Sequence, residues 1–229
     1  MAESLLTPAL SVFEHMAVDD VLVHAPYSGP ILRFYHWQKG PAVTFGCSQF
    51  YRAVQQQLTK ESGPACRRLT GGGIVYHGTD LTFSLIFQST LRPAEIYARL
   101  HGEIEQVLAQ AEVSSMRQGA VPAGAYAPMQ NNAASGCFTC PVQDDLLVDG
   151  QKILGGAIRR FGNQILYQGS LQYPHARTNP VFRRAVSTAA GRMLGVTFQS
   201  AAISRDVLRQ AKALTLIQYQ TADWAEKII

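Results

Sequence analysis

Little of this sequence is charged: Asp, Glu, Lys and Arg together make up 16% of its 229 residues. The net charge of +4 is spread without a Lys/Arg run, which excludes a nucleic-acid or membrane-surface patch and fits an acidic protein partner better. No apolar run approaches the roughly 20 residues that a bilayer-crossing helix needs. Residues 1–11 lack both a basic stretch and a small-residue cleavage pattern, so no signal peptide is expected. Cysteine is sparse as well. Cys47, Cys66, Cys137 and Cys140 are unevenly spaced and do not read as a disulfide framework, which points to a reducing cytoplasm and free thiols. Internal repeats, low-complexity tracts and long linkers are all lacking. What is present is a 47% hydrophobic composition, enough to bury a full core as one domain over residues 1–229.

Periodicity divides the chain into helices and strands. Leu10, Phe13, Ala17 and Val21 recur at helical spacing and predict a helix over 9–22, with Asp19 and Asp20 on the other side. Beyond the breakers Pro26, Gly29 and Pro30, residues 31–37 and 42–46 read as two strands, a hairpin or meander pair joined through Lys39-Gly40-Pro41. Residues 91–112 give the clearest helical pattern, with Ile96, Leu100, Ile104, Val107 and Leu108 on one face and Pro93 near the start. Residues 119–135 read as an irregular loop containing Asn131-Asn132. Three successive strands follow at 145–148, 152–159 and 164–171, turning at Asp149-Gly150, a type I′ signal, and at Phe161-Gly162-Asn163. Two more helices are expected at 181–194 and 204–214. The pattern is that of an α+β fold.

The most unusual stretch is Arg67-Arg68-Leu69-Thr70-Gly71-Gly72-Gly73-Ile74-Val75-Tyr76-His77-Gly78. Without Cβ atoms, three successive glycines let a ligand lie against the backbone. The stretch lacks the Gly-Lys-Ser/Thr of a Walker loop and the spacing and following helix of a dinucleotide fingerprint. A glycine-rich turn on its own is more often only a turn.

The stretch resembles the Arg-Arg-x-x-Gly-Gly-x-x-Val-x-His signature of the biotin/lipoate ligase and octanoyltransferase superfamily. Further segments match in the same order. Residues 16–22 resemble the family's first helix, and residues 32–37 with 41–46 and Gln49 resemble its first strand pair. Asp80-Leu81-Thr82-Phe83-Ser84 resembles the strand after the glycines, and Lys152-Ile153-Leu154-Gly155-Gly156-Ala157 its lysine strand. Gly169-Ser170-Leu171 matches the strand that closes the pocket. The resemblance implies mixed sheets flanked by helices, in the manner of a biotin/lipoate ligase catalytic domain (class II aminoacyl-tRNA synthetase-like). It places substrate-binding roles on Arg68, Thr70, Gly71, Gly72, Gly73, Tyr76, His77, Gly155, Gly156, Ala157, Gly169 and Ser170. Two positions depart from the pattern. Gly78 stands where an Asp usually follows the histidine, so any role of that acid is lost, and Gln168 replaces a histidine before Gly-Ser.

Within the superfamily, ligases activate free lipoate or biotin with ATP, whereas transferases take an acyl group already held as a thioester. Cys137-Phe138-Thr139-Cys140-Pro141, followed by Asp145-Leu146 and Lys152, resembles the nucleophile segment of the cysteine octanoyltransferases. That resemblance places the nucleophile on Cys137 and a second catalytic group on Lys152. The turn from His77 to Leu81 is one residue shorter than in ligases. The stretch after Leu171 looks too short for an accessory adenylation domain, and none is expected. The reaction implied is cysteine-dependent transfer of an octanoyl (or lipoyl) group from acyl carrier protein to the lysine of a lipoyl domain or a glycine-cleavage H-type carrier. Such a transferase needs no cofactor. The alternative, a lipoate-protein ligase, needs ATP and Mg. A third reading is an acyl- or carrier-binding module without turnover.

Several residues carry two readings. Cys140 is the nearest rival to Cys137, and the pair has the spacing of a redox dithiol or half a zinc site, but no second ligand pair accompanies it. Cys66, beside two arginines, reads as structural. His77 either orients substrate or satisfies a strand-end hydrogen bond. Of Arg159 and Arg160, strand alternation lets at most one face the pocket. Trp37 reads as core, and Trp224 suggests no role. Ile74 and Val75 are expected to form the pocket's apolar floor.

Overall fold

The computed structural model describes residues 1–119, 138 and 141–228. Its strands are β1 (Glu3–Leu6), β2 (Ile31–Phe34), β3 (Ala42–Phe45), β4 (Ala65–Arg67), β5 (Val75–His77), β6 (Leu81–Gln88), β7 (Met116–Arg117), β8 (Leu146–Val148), β9 (Gln151–Phe161), β10 (Gln164–Leu171) and β11 (Gln199–Ala202). The helices are α1 (Val12–His24), α2 (Tyr51–Gln55), α3 (Pro93–Gln110), α4 (Pro180–Leu194), α5 (Arg205–Leu214) and α6 (Ala222–Glu226). Among the described residues, one sheet runs β11-β1-β2-β6-β10-β9-β8-β7 and a smaller one β4-β3-β5. The larger sheet is antiparallel from β2 through β7, with β1 parallel to both β2 and β11. The α+β expectation holds.

Alternation along β6 and β10 decides where the core and the site lie. Leu81, Phe83, Leu85 and Phe87 share one face with Ile165 and Tyr167, packed under α3 through Ile96, Leu100, Ile104 and Leu108. Truncating one of these side chains to alanine costs about 2–5 kcal/mol. The opposite face meets α1, and there the intervening residues Thr82, Ser84, Gln168 and Ser170 are polar yet buried. A buried polar face needs hydrogen-bond partners, and this one receives them, as described below.

The predicted strands 145–148, 152–159 and 164–171 are β8, β9 and β10. Their first turn has Asp149 at φ 51° and Gly150 at φ 75°, the two positive values of a type I′ turn. The clearest predicted helix is α3. The expected hairpin of residues 31–37 and 42–46 does not form: β2 pairs with β1 and β6, whereas β3 pairs with β4 and β5. The chain changes sheets at Trp37, which bridges to Leu10, and at Gly40, whose φ of 107° suits glycine. The first helix starts later than predicted, at Val12, because Ser11 and Glu14 form a capping box. Its Asp19 is not on a solvent side. It is fully buried, since Arg33 from β2 donates to it at 2.6 Å.

His101 of α3 is fully buried, its Nδ1–H donating to the Asp144 carbonyl at 2.8 Å and its Nε2 accepting from the Tyr167 hydroxyl at 2.7 Å. Burial above all, with Lys152 and Arg117 adding to it against the Asp144 carbonyl, lowers its pKa from 6.5 to about 3. Between those values the unfolded chain binds a proton that the folded chain refuses, so stability is complete above pH 6.5 and falls as pH drops. His15 is shifted the same way, by burial and then by Arg33. Urea unfolding is expected to show a loss of about 2 kcal/mol per such histidine between pH 7 and pH 5. His101→Gln should flatten part of that slope, and an unchanged slope would contradict the assignment.

Candidate functional site

Lys152 owes its direction to an irregularity in β9. Leu146 of β8 faces Leu154, but Leu147 faces Lys152, so one residue of β9 is left over as a bulge. In a regular strand Lys152 and Gly155 would point to opposite faces. With the bulge they share a side, and a Cβ on Gly155 would lie 2.3 Å from Lys152 Cε and 2.6 Å from Nζ. Glycine at 155 is therefore the room in which the lysine lies.

The buried ammonium is paired. Asp145 Oδ2 lies 2.8 Å from Lys152 Nζ, with side-chain exposures of 0% and 2%. The same oxygen accepts the Val142 N–H at 2.6 Å, and Oδ1 accepts the Tyr97 hydroxyl at 2.5 Å. That hydroxyl in turn accepts the Gly156 N–H at 2.9 Å, which ties the carboxylate to the glycine strand and removes this N–H as an oxyanion donor. Lys152 Nζ also lies 5.1 Å from the centre of the Phe138 ring.

Phe138, Gly155, Gly156 and Ala157 form one side of a narrow pocket. Gln168, Gly169 and Ser170 of β10, Val75 and His77 of β5, Arg68, Thr44, Thr82, Tyr35 and Met16 complete it. Thus Arg68, His77, Gly155, Gly156, Ala157, Gly169 and Ser170 converge there. Lys152 stands beside the lining residues Gly155 and Phe138. Cys137 and Cys140 lie outside the described residues, as do residues 120–135 of the expected loop.

Asp80 organises the polar end. Its Oδ2 accepts from the Thr82 and Ser170 hydroxyls, each at 2.7 Å, and lies 2.9 Å from His77 Nδ1. Burial pushes this carboxyl up, but the His77 ring and the hydrogen bonds from His77, Thr82 and Ser170 outweigh it and hold the pKa at about 2. An acid against His77 is therefore present after all: Asp80 supplies it in place of the residue that Gly78 lacks. With His77 Nε2 engaged by Thr44 at 2.9 Å and its ring stacked on Trp37, both ring nitrogens are held. That geometry suits a positioning wall.

Asp19 does the same for the opposite wall. Gln168 Nε2 donates to it at 2.7 Å, Ser84 at 2.8 Å, and Tyr35 through its hydroxyl. Gln168 Oε1 accepts the Thr70 hydroxyl at 2.7 Å, pinning the glycine turn to β10. Tyr35, Thr44, Thr82 and Met16 were not singled out as site residues by sequence. The signal for two of them was the buried polar alternation of strands.

The glycine stretch is a support more than a lining. Thr70, Gly71, Gly72, Gly73 and Tyr76, expected to bind substrate, are not among the residues that line this pocket. Gly72 packs against Gly46 so tightly that a Cβ on Gly46 would meet the Gly72 carbonyl oxygen at 2.0 Å. Arg68 curls over the turn and donates to the carbonyls of Gly71 and Gly73 at 2.5 and 2.9 Å. Tyr76 points away, its hydroxyl donating to the Gln57 carbonyl. Of the expected apolar floor, Val75 lines the pocket, but Ile74 packs with Val43, Phe45 and Val54 beneath the small sheet. Arg159 and Arg160 bond to backbone carbonyls of Leu69 and Ser89, and neither lines the pocket. Trp224 has a role that sequence did not suggest: its indole N–H donates to the Arg67 carbonyl, and its carbonyl accepts from Arg67 Nε. Cys66 is buried, and burial raises its thiol pKa well above the ordinary value against the pull of Arg67, as a structural cysteine requires.

Removing Asp145 leaves a buried ammonium without its carboxylate, so Asp145→Ala is expected to cost about 3–5 kcal/mol. Tyr97→Phe, which orphans the Gly156 N–H, should cost about 1–3 kcal/mol. Urea unfolding of both variants checks the order, and equal or negligible losses would mean that the ion pair does not anchor β9.

A family model described as the lipoyl protein ligase A/B catalytic domain matches residues 11–180. Octanoyltransferase LipM of Exiguobacterium sp. is 30% identical over 184 residues, covering 73% of this chain and 64% of that protein. LipM of Moorella thermoacetica is 27% identical over 173 residues, covering 69% and 60%. The chain therefore matches less than two thirds of the length of these curated relatives. Among solved structures, lipoate-protein ligase A bound with ATP has a TM-score of 0.77 at 19% identity, over 100% of this chain and 99% of that one. A chain from the structure of a bi-partite lipoate protein ligase and its E2 lipoyl domain from Thermoplasma acidophilum has a TM-score of 0.72 at 19% identity, over 100% and 96%. These two likenesses establish a shared fold.

Proposed function

The chain belongs to the lipoyl protein ligase A/B catalytic-domain family, and on that premise we propose that it transfers an octanoyl (or lipoyl) group from acyl carrier protein to the lysine of a lipoyl domain. The observation that carries this reading is the place of Phe138. It follows Cys137 directly in the chain, lines the pocket and stands against the Lys152 ammonium.

In this reading the acyl tail lies in the pocket along Gly155 to Ala157 and Gln168 to Ser170, where each buried methylene contributes roughly 0.8 kcal/mol. Cys137, as thiolate, attacks the thioester carbonyl. A new C–S bond forms while the carrier's C–S bond breaks, and the carrier leaves as a thiol with the proton that Cys137 lost. The unprotonated lysine amine of the lipoyl domain then attacks the acyl-cysteine. The amide C–N bond forms, the acyl–sulfur bond breaks, and the amine's proton returns to the cysteine sulfur. Lys152 favours the thiolate and the oxyanion of each tetrahedral intermediate. The ion pair with Asp145 fixes the ammonium in place beside Phe138. Thioester-to-thioester transfer is close to energy-neutral and requires neither ATP nor Mg.

Intact mass after mixing with octanoyl-acyl carrier protein tests this directly. One added octanoyl group is expected, absent in Cys137→Ala and unaffected by withholding ATP. No adduct, together with ATP-dependent lipoate transfer that survives Cys137→Ser, would replace the transferase with a ligase. Binding of the carrier without adduct or transfer would leave only a binding module.

A further inference from the structure

A second concavity, an open groove of about 940 Å³, runs beside the first turns of α3 and meets the acyl pocket at Gly156 and Ala157, which line both. Its walls include Glu95, Tyr97, Ala98 and Asp144, and they carry no lysine or arginine among the described residues. A helix N-terminus would ordinarily draw an anion here. Here the Glu95 carboxylate already lies over that end, its Oε2 accepting the Arg92 N–H at 2.9 Å, and Pro93 brings no N–H at all. Arg117 reaches toward Asp144 at only 3.5 Å and is bound more closely by Glu105 at 2.9 Å, so the groove keeps its acidic character.

A thioester arm that carries phosphate is repelled by such walls. A lysine is not: its ammonium meets the carboxylates, and its methylene stem lies on the alanines. Resting on the acyl-transfer reading, we propose that this groove admits the acceptor lysine of the lipoyl domain to the acyl group, and that the thioester arm does not use it. Tyr97 forms the partition, its hydroxyl holding both Asp145 and the Gly156 N–H at the place where groove and pocket join.

Calorimetric titration of unacylated lipoyl domain onto the full chain tests the proposal, with Ala98→Trp filling the groove and Asp144→Asn removing a charge. Asn tolerates the positive φ of 67° at position 144, so this variant is expected to fold even if the tryptophan does not. The dissociation constant should rise about tenfold in either variant, while acylation of the enzyme by octanoyl-acyl carrier protein changes less than about twofold. Unchanged affinity, no binding to the wild type, or acylation falling in step with affinity would each overturn the proposal. Because the titration needs no turnover, it decides the groove even if no acyl adduct forms and the transferase reading fails.

Discussion

An ionised carboxylate taken out of water must be met by partners or it will not stay ionised. Among the described residues three aspartates are buried, Asp19, Asp80 and Asp145, and most of what surrounds the pocket follows from satisfying them. Asp19 draws in Arg33, Tyr35, Ser84 and Gln168 and so clamps α1, β2, β6 and β10 together. Asp80 gathers His77, Thr82, Ser170 and Arg177 at the other end. Asp145 secures Lys152 and Tyr97. Each carboxylate fixes a different wall, so the pocket's shape is set by charge burial more than by apolar packing. Such pairs are weak sources of net stability. Their worth here is geometric.

The glycines complement that arrangement by clearing space. Gly155 leaves room for the lysine, and a Cβ on Gly156 would come within 2.3 Å of the Tyr167 hydroxyl. The triple-glycine stretch lets a turn close against Gly46 so that Arg68 can brace it from inside. On the proposed reading, the narrow slot that remains excludes water from the acyl chain and presents its reactive end to Phe138 and Lys152.

Much of this was legible in the sequence, and the failures share a cause. Strand order through β8, β9 and β10 followed from turn chemistry, and the lysine and Gly-Ser segments hold Gly155, Gly156, Ala157, Gly169 and Ser170, which line the pocket. Asp19 was misplaced because its partners lie 14 to 149 residues away, and a helical pattern alone cannot tell a buried acid from a solvated one. The false hairpin arose because β2 and β3 are adjacent in sequence but take partners in different sheets. Strands β1 and β11 are four residues each, Glu-Ser-Leu-Leu and Gln-Ser-Ala-Ala, and neither alternates polar with apolar side chains. Tyr97 escaped notice for want of any motif: its partners in the site, Asp145 and Gly156, are 48 and 59 residues distant.

The bulge in β9, the glycine that makes room and the aspartate that pairs all converge on Lys152, so this side chain is where the functional reading stands or falls. The most direct measurement is octanoyl transfer from acyl carrier protein to a lipoyl domain by Lys152→Ala, followed by the mass of the acceptor, with folding verified by circular dichroism. Folded protein that forms no acylated acceptor above the uncatalysed background is the expected result. Acylated acceptor at the wild-type rate would contradict it and place the reacting centre elsewhere.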